Sequence, residues 1–192
     1  QMVLLIAVAS GLLAGWLRAT IRGRRLAAPN LFLMWLLVAA FMLQAIAFQL
    51  PTCKLVPDQI ASIILCVSQG MMLIFALANR RLPGFWMLIM GLVMNLGVII
   101  LNGGFMPISP ETVHKLIPNA PPGSWEIGQR LGTGKDIVLP VGTTILQILS
   151  DRFLLPGWML YQVAFSLGDV VISTGAFWTL WSAAGPETPK NK

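Results

Sequence analysis

The sequence predicts an all-α fold, a polytopic membrane bundle of five transmembrane helices with an external loop segment that contains short helices. The first observation is composition: 56% of the 192 residues are hydrophobic and 10% are charged, whereas a soluble domain carries about 25% charged residues. The second is five apolar runs near the length of about 20 residues that crosses a hydrocarbon core of about 30 Å. The third is the lack of period-2 alternation, which favours helices over barrel strands. We expect residues 1–192 to form a single membrane domain.

The five predicted spans follow the apolar runs in order. The first run starts directly at the N-terminus without the basic region or the cleavage site of a signal peptide, so we interpret it as a slightly trimmed first span. The spans cover approximately residues 2–17, 31–50, 59–78, 84–102 and 156–183, and the external segment covers residues 103–155.

Basic residues cluster in two loops and set the predicted orientation. Cytoplasmic loops are rich in Lys and Arg, so we place loops 18–30 and 79–83 inside, and the N-terminus and the external segment outside. The C-terminus is then cytoplasmic, and topology explains the net charge of +6 without a nucleic-acid partner. The clusters are Arg18, Arg22, Arg24 and Arg25 in the first loop and Arg80 and Arg81 in the second, while Lys54 stands alone between spans two and three.

Tryptophans support this orientation, because Trp is enriched at membrane interfaces. Trp158 marks the predicted outer interface. The predicted cytoplasmic belt consists of Trp16, Trp35, Trp86, Trp178 and Trp181.

The external segment contains two further predicted features. Ser109 is predicted to be the N-cap of a short helix, with Pro110 at its first position and Glu111 in its first turn. The apolar piece at 137–149 is too short to cross a membrane, so we expect it to fold back onto the outer ends of the spans. In that arrangement Ile145, Leu146 and Leu149 face the bundle, and Gln147, Ser150 and Asp151 face water.

Asp169 is the most informative polar residue, because it lies near the middle of the fifth predicted span. Polar residues at helical spacing share its face, and three residues on other spans lie at a similar depth. The predicted midplane layer consists of Gln162, Ser166, Asp169 and Ser173 on span five, with Asn95, Gln69 and Gln44 on the other spans.

Two interpretations of this layer stay open. We expect no Lys or Arg at that depth, and burial disfavours a lone carboxylate. Asp169 is therefore expected to be protonated, hydrated or paired with a partner chain. The functional interpretation is a proton or cation site, and the structural one is a neutral Asp169 whose hydrogen bond locks the fourth and fifth spans together.

Small residues predict two close helix contacts. Gly168 and Gly175 lie beside the polar face of span five. Ala7, Gly11 and Gly15 recur every four positions on span one and form a second packing face, either within the bundle or against a partner.

Other candidate residues carry weaker signals. The stretch GTGKD at 132–136 lacks the spacing and the Ser/Thr of a phosphate loop, so we predict no nucleotide site. His114, the only histidine, follows Glu111 by three residues, and with Asp136 they could act at the outer surface; a solvated polar helix face is the alternative. We predict no metal site and no cofactor of the chain's own, although a lipid, quinone or pigment could be bound by a partner complex.

Four stretches of the sequence point to one family. They are IRGRRL at 21–26, NGGFMPISPE at 102–111, TTILQILSDRF at 143–153 and FSLGDVVISTG at 165–175. In them the chain resembles a family of bacterial multi-pass membrane proteins known only as a domain of unknown function. The clearest shared elements are Asn-Gly-Gly-x-Met-Pro and Phe-Ser-x-Gly-Asp, whereas the family's Lys-His element reads Lys135-Asp136 here. The resemblance implies fold and topology and brings no activity.

Three functions are compatible with these features. The favoured one is a non-catalytic accessory or assembly subunit of a larger complex in the bacterial inner membrane, with lipid and other membrane subunits as partners. The alternative is a small proton- or cation-coupled carrier that uses the layer around Asp169. A membrane enzyme acting on a lipid-linked substrate is the third.

Overall fold

The computed structural model describes residues 2–26, 29–121, 123–156 and 162–187, and this part of the chain is mostly helical, as predicted. Five of the six α-helices in these ranges are long, and α5 is short. They are α1 (Met2–Ile21), α2 (Met34–Phe48), α3 (Asp58–Ala78), α4 (Phe85–Leu101), α5 (Pro110–Leu116) and α6 (Leu167–Trp181), with short 3-10 helices at Pro51–Leu55 and Gln147–Leu149.

The long helices pack side by side in an order that differs from their order in the chain. Helix α6 packs between α1 and α4, and α3 packs between α2 and α4. Leu36, Phe75 and Phe85 lie in the buried core at one end of the bundle. Leu65 and Val98 lie in the core at the other end.

Short strands, which the sequence did not predict, add three two-stranded sheets in the described residues. The first joins the segment after α1 to the segment after α6, and the other two lie between α4 and α6. The pairs are β1 (Arg24–Leu26) antiparallel to β6 (Ala184–Glu187), β2 (Met106–Ile108) parallel to β3 (Asp136–Val138), and β4 (Phe153–Leu154) antiparallel to β5 (Ala164–Phe165).

The loop after α1, the loop after α3 and the end of α6 lie at the same end of the bundle. The Thr179 hydroxyl of α6 donates a hydrogen bond to the carbonyl of Pro83 at 2.8 Å. The Arg18 guanidinium of α1 donates one to the carbonyl of Trp181 at 3.1 Å. The arginine-rich loops therefore share one end with the last described strand.

Two helices, α1 and α3, are long and apolar enough to cross a membrane by length and composition, and α2 and α4 are shorter apolar helices. The prediction of a fifth span over 156–183 is wrong at its start, because α6 begins only at Leu167. The chain before it forms β5, and Ser166 caps the helix. Residues 157–161, which include Trp158, and residues 188–192 lie outside the described ranges.

The described residues between α4 and α6, 103–121, 123–156 and 162–165, form a cap over the other end of the bundle. Ile108, Val113 and Val138 are fully buried in a small core of its own. The amide side chain of Asn102, at the end of α4, exchanges two hydrogen bonds of 2.9 Å with the backbone of Ile145. The cap is thus a folded layer attached to the bundle.

The predicted orientation of the apolar piece at 137–149 is wrong in detail. Its first residues continue β3, and no helix long enough to cross a membrane forms there. Ile145 and Leu146 are about half exposed, whereas Ser150 and Asp151 are buried. The reason is that the backbone of Asp151 pairs with β2, donating to the carbonyl of Pro107 at 3.0 Å, and its side chain turns inward.

Candidate functional site

Asp169 lies in the first turn of α6, where it forms half of a capping box. Its backbone N–H donates to the Ser166 hydroxyl at 3.0 Å, and its Oδ2 accepts from the backbone N–H of Ser166 at 3.2 Å. Each side chain thus satisfies an N–H group that the helix start leaves unpaired. The carboxylate in the middle of an apolar run therefore marks a helix start, and the prediction that Gln162, Ser166 and Asp169 share a helix face is wrong.

Asn95 of α4 connects this helix start to the neighbouring helix. Its Nδ2 donates to Asp169 Oδ1 at 2.8 Å, and its Oδ1 accepts from the Ser166 hydroxyl at 3.0 Å. Asn95 and Ser166 are both buried. Because the carboxylate accepts every one of these bonds, the contacts are those of an ionised side chain and differ from the neutral, donating Asp169 of the structural interpretation.

Close packing of α4 against α6 depends on glycines at this contact. A Cβ added at Gly168 would collide with the Asn95 side chain, and one added at Gly91 would lie 2.7 Å from the Gly168 carbonyl. Farther along, a Cβ at Gly175 would lie 2.7 Å from the carbonyl of Gly84. Glycines on both helices let the backbones approach closely enough for Asn95 to reach Ser166.

A cavity of about 80 Å³ lies at the centre of the bundle beneath the cap. One water needs about 10–15 Å³ by a comparable measure, so several fit. All five long helices contribute to its walls, including Val3 and Leu4 from α1. Its polar lining residues are Gln44, Gln69, Asn95, Lys135 and Asp169.

The two glutamines on the cavity differ in how their polar atoms are satisfied. Gln44 is buried, and its Nε2 donates to the Ser68 hydroxyl at 2.9 Å. The Oε1 of Gln69 is buried and has no hydrogen-bond partner. An unpaired buried acceptor costs about 1–3 kcal/mol, so Gln69 Oε1 is an available ligand atom on the cavity wall.

Lys135 provides the positive charge that was not expected near Asp169. A hairpin in the cap carries it to the cavity: Gly128 N donates to Val138 O at 2.7 Å, and Leu131 N donates to Asp136 O at 2.8 Å. The stretch GTGKD is thus the tip of this hairpin. The expectation that Asp169 lacks a counter-charge within the chain is wrong, because the cap folds inward.

Two carboxylates lie within 4 Å of the Lys135 ammonium, and a third acts on it without a direct contact. Its Nζ lies 2.8 Å from Asp151 Oδ2 and 3.8 Å from Asp136 Oδ1, and Asp169 acts on it electrostatically. The Asp151 side chain is fully buried, whereas 31% of the Lys135 side chain is exposed and lines the cavity. Asp136 Oδ1 and Asp151 Oδ1 are buried without a hydrogen-bond partner.

Burial and neighbouring charges shift the pKa values of Lys135 and Asp151. Burial lowers the pKa of Lys135, but the three carboxylates outweigh burial and raise that pKa above the ordinary lysine value. Burial raises the pKa of Asp151, and the Lys135 ammonium only partly opposes the shift. The Lys135 side chain is therefore charged, and Asp151 holds a proton more readily than an exposed aspartate does.

Arg130 fastens the hairpin to the bundle. Its side chain is 4% exposed, and it forms a 3.1 Å ion pair with Asp58 at the start of α3. It also donates to the carbonyls of Thr133 and Gly134, both at 2.6 Å, and to that of Ala47 at 3.3 Å. These contacts fix the hairpin tip between α2 and α3 and so fix the position of Lys135.

Two members of the predicted polar layer lie away from the cavity. Gln162 is exposed, precedes α6 and donates to the carbonyl of Pro156 at 3.3 Å. Ser173 is buried, and its hydroxyl, which has no hydrogen-bond partner, lines a groove between α1 and α6. The layer therefore consists of Asn95, Gln69, Gln44, Ser166 and Asp169, joined by Lys135.

The small residues of α1 pack against α6. Gly11 and Gly15 are buried, and a Cβ added at Gly11 would lie 3.0 Å from the Phe177 Cα. Ala7 lines the groove that contains Ser173.

The candidate residues of the external segment lie on separate elements of the cap. Ser109 caps α5 by accepting from Thr112 N at 3.2 Å, and its hydrogen bond lowers the pKa of the exposed Glu111. His114 is exposed at the other end of α5, and its ring is nearly perpendicular to that of Trp125, with 5.0 Å between the centroids. Asp136 lies on β3 beside Lys135.

Comparison with known proteins places the chain in a family. The model of the family of unknown function DUF5317 matches residues 29–181. The chain belongs to this DUF5317 family. No curated protein and no solved structure matches it. Three of the four stretches singled out in the sequence lie inside the matched range, while IRGRRL at 21–26 precedes it.

Sequence reasoning missed Lys135, Asp151 and Arg130 of this DUF5317 protein as site residues. Lys135 and Asp151 each stand next to an opposite charge in the sequence, Asp136 and Arg152, which is the usual pattern of a solvated loop. The sequence therefore carries no signal that distinguishes these charges from exposed ones. Their partners follow only from the fold of the cap.

Proposed function

We propose that the protein is a five-span integral membrane protein of the bacterial inner membrane, in which α1, α2, α3, α4 and α6 cross the bilayer. Large apolar side chains cover the outer surface of these helices; Leu13, for example, is 65% exposed and Ile63 is 61% exposed. A continuous apolar surface of this kind is unstable in water and stable in lipid. Helices α2 and α6, at about 22 Å, are short for an average bilayer, and local thinning or flanking residues accommodate such a difference.

We place the cap outside and the arginine-rich end in the cytoplasm. The support is that the described residues of loops 18–30 and 79–83 lie at one end of the bundle, and cytoplasmic loops are rich in Arg. Exposed tryptophans, which favour interfaces, accompany those loops. They are Trp16, Trp35, Trp86, Trp178 and Trp181.

We propose that the cavity beneath the cap is the cation or proton site of a small carrier. The observation that carries this proposal is the charge balance at Lys135 on the cavity wall, where three carboxylates act on one ammonium. Excess negative charge in a buried site is unfavourable unless a proton or a cation compensates it. The unpaired Oε1 of Gln69 is on the cavity wall with Asp169, and these are the groups that such a cation would contact.

Lys135 has a defined part in this proposal. The Asp151 carboxyl group lies 2.8 Å from the Lys135 ammonium and keeps it at the cavity. Lys135 is therefore a tethered cation that competes with the transported cation for the negative charge of Asp169. A cation entering from outside then binds between Asp169 and Gln69 Oε1, while Lys135 stays with Asp151. When the cation leaves, the Lys135 ammonium restores the charge balance. The Arg130 contacts keep the hairpin, and hence Lys135, within reach of both carboxylates.

Transport by reconstituted protein tests the carrier function. The purified protein is placed in lipid vesicles that enclose a proton-sensitive or a sodium-sensitive dye, and an inward gradient of the corresponding ion is applied. We expect the wild type to admit one of these ions, and Gln69→Leu and Asp169→Asn to abolish the flux. Gln162→Leu is the matched control, because Gln162 lies outside the cavity, and it is expected to keep the wild-type rate. Flux equal to that of empty vesicles would contradict the carrier proposal.

A second candidate, the accessory or assembly subunit, is favoured by the groove between α1 and α6. Ala7 and Ser10 of α1 and Ser173 of α6 line it with small side chains, and the Ser173 hydroxyl is buried without a partner. Grooves with small residues and a polar group are where membrane helices associate. A helix of another subunit that carries a polar side chain would satisfy Ser173.

Purification from native membranes distinguishes this candidate from the carrier. Mass spectrometry of co-purifying membrane proteins is expected to find a subunit with the wild type and to lose it in Ser173→Leu, which fills the groove. Gly70→Leu is the control, since open space surrounds Gly70 on α3. Purification of the wild type without any other subunit would exclude the accessory role.

A further inference from the structure

A second groove lies at the end of the bundle away from the cap, between the loop that joins α3 to α4 and the last turns of α6. It measures about 610 Å³, and its lining includes Arg80, Arg81, Trp86 and Trp178. The cavity beneath the cap shares none of these residues. The groove is therefore a separate feature of the molecule.

The backbone that carries the two arginines is fixed on both sides. Thr179 on α6 donates its hydroxyl to the Pro83 carbonyl at 2.8 Å. Gly84 has a φ of +84°, which a residue with a side chain rarely adopts,. Buried Asn79, just before Arg80, donates its side-chain amide to the carbonyls of Phe32 at 2.9 Å and Phe75 at 2.8 Å. The loop thus holds its arginines in place without any ligand.

The charge of the groove favours an anion. Arg80 and Arg81 are exposed, and among the described residues neither guanidinium has an acidic partner. No acidic residue lines the groove within that part of the chain. Helix α4 begins at Phe85 beside them, so the positive end of its dipole adds to the two charges,. Guanidinium groups are well suited to phosphate because they bind it through two parallel hydrogen bonds.

The remaining walls favour an anion that carries acyl chains. Trp86 is 64% exposed and Trp178 is 48% exposed, and both are of the type that lies at the headgroup level of a bilayer,. Met90, one helical turn beyond Trp86, is also exposed. The groove therefore continues from two cationic side chains onto an apolar helix surface, which matches a lipid headgroup followed by its chain.

We propose that this groove is a binding site for the headgroup of an anionic phospholipid, with the phosphate at Arg80 and Arg81 and the glycerol region against Trp86 and Trp178. The inference rests on the proposed membrane location and not on the carrier function of the cavity. The bound lipid would anchor the α3–α4 loop at the inner membrane surface. A failure of the cavity to transport ions leaves this site unaffected.

Native mass spectrometry of the purified protein tests the site. Phosphatidylglycerol and phosphatidylcholine are added separately to the detergent-solubilised protein, and the bound fraction is measured for each. We expect the wild type to retain phosphatidylglycerol, and the double substitution Arg80→Gln and Arg81→Gln to weaken its binding about tenfold or more, since two charge-assisted contacts are lost. Arg22→Gln is the control, because Arg22 is an exposed arginine at the same end outside the groove.

Two further arms separate the possible ligands. Trp86→Ala keeps both arginines and removes an apolar wall, so it is expected to weaken the retention of phosphatidylglycerol without changing the binding of inorganic phosphate. Circular dichroism of each variant establishes that it is folded. Equal retention of the two lipids by the wild type, or unchanged retention of phosphatidylglycerol by the folded double variant, would overturn the proposal. Displacement of the lipid by inorganic phosphate alone would reassign the groove to free phosphate.

Discussion

The buried carboxyl of Asp151 makes stability depend on pH. Because its pKa is raised by burial, the folded state keeps this proton at pH values where the unfolded chain has released it. The stabilisation is complete below the ordinary aspartate pKa of about 4 and is lost as pH rises from there through the raised value. We expect the thermal midpoint of the wild type to fall over that range, and Asp151→Asn to flatten the slope.

Glu126→Gln is the control for this measurement, since Glu126 is an exposed carboxylate outside the Lys135 cluster. It is expected to keep the wild-type slope. If Asp151→Asn and the wild type lose stability in parallel as the pH rises, the cluster does not hold the proton assigned to it.

Gln69 and Gln44 face the same cavity and are predicted to respond oppositely to the same substitution. Gln69→Leu removes an acceptor that has no partner, so stability in a buffer containing only choline as the cation should stay the same or rise. Gln44→Leu removes the hydrogen bond to Ser68 and should lower the free energy of unfolding by about 1 kcal/mol. Thermal unfolding of both variants in one detergent measures the difference. A loss for Gln69→Leu as large as that for Gln44→Leu would mean that Gln69 Oε1 has a structural partner.

Among the elements, the contact between α4 and α6 is the one most sensitive to side-chain size. Gly168→Ala would place a methyl group against the Asn95 side chain, and overpacking of this kind costs about 1–3 kcal/mol. Gly97→Ala on α4 meets no atom within 4 Å, and it should be neutral or stabilising by up to about 1 kcal/mol because Ala favours helix. Thermal midpoints measure both. Equal effects would show that α4 and α6 are not in close contact at Gly168.

The elements also show how far the sequence predicts this fold. Apolar runs locate α1 to α4 within a few residues, because burial in lipid or core requires a continuous apolar stretch in either case. The apolar pattern predicts a start of α6 that is too early, because Phe165 and Leu167 on either side of the capping residue Ser166 are both apolar and hide the boundary. The spacing of Ser166 and Asp169 matches a capping box, so this boundary was available in the sequence but was interpreted as a helix face.

For the whole molecule, the proposed orientation in the membrane places the cap outside the cell. With the cap outside, a cysteine introduced as Ala120→Cys should react with an impermeant reagent on intact cells, and Arg81→Cys should react only after lysis. Native Cys53 and Cys66 are buried and partly buried, and the unmodified protein provides their background. Labelling of Arg81→Cys but not Ala120→Cys on intact cells would invert the orientation.

The sequence predicts the polar helix residues that line the cavity better than it predicts the charged residues of the cap. Gln44, Gln69, Asn95 and Asp169 could be brought together by depth along helices alone, because each lies on a long apolar run. Lys135 reaches them through a hairpin whose position depends on the Arg130 contacts to two different helices. Such contacts between distant parts of the chain leave no periodic pattern in the sequence, so the positive charge of the cavity could not be predicted.

If the cavity beneath the cap binds a cation or a proton, as proposed, the stability of the protein depends on that ligand. The thermal midpoint of the purified protein is measured in sodium, potassium and choline at equal ionic strength, each across the pH range. A ligand that binds only the folded state raises the free energy of unfolding by about 2.7 kcal/mol when its concentration is about 100 times its dissociation constant. The wild-type midpoint should therefore rise with one metal cation or with protons. The midpoint of Gln162→Leu should change in the same way. Gln69→Leu should lose a metal-cation shift, and Asp151→Asn should lose a proton shift. A wild-type midpoint that is the same in all three cations and at every pH would contradict the claim.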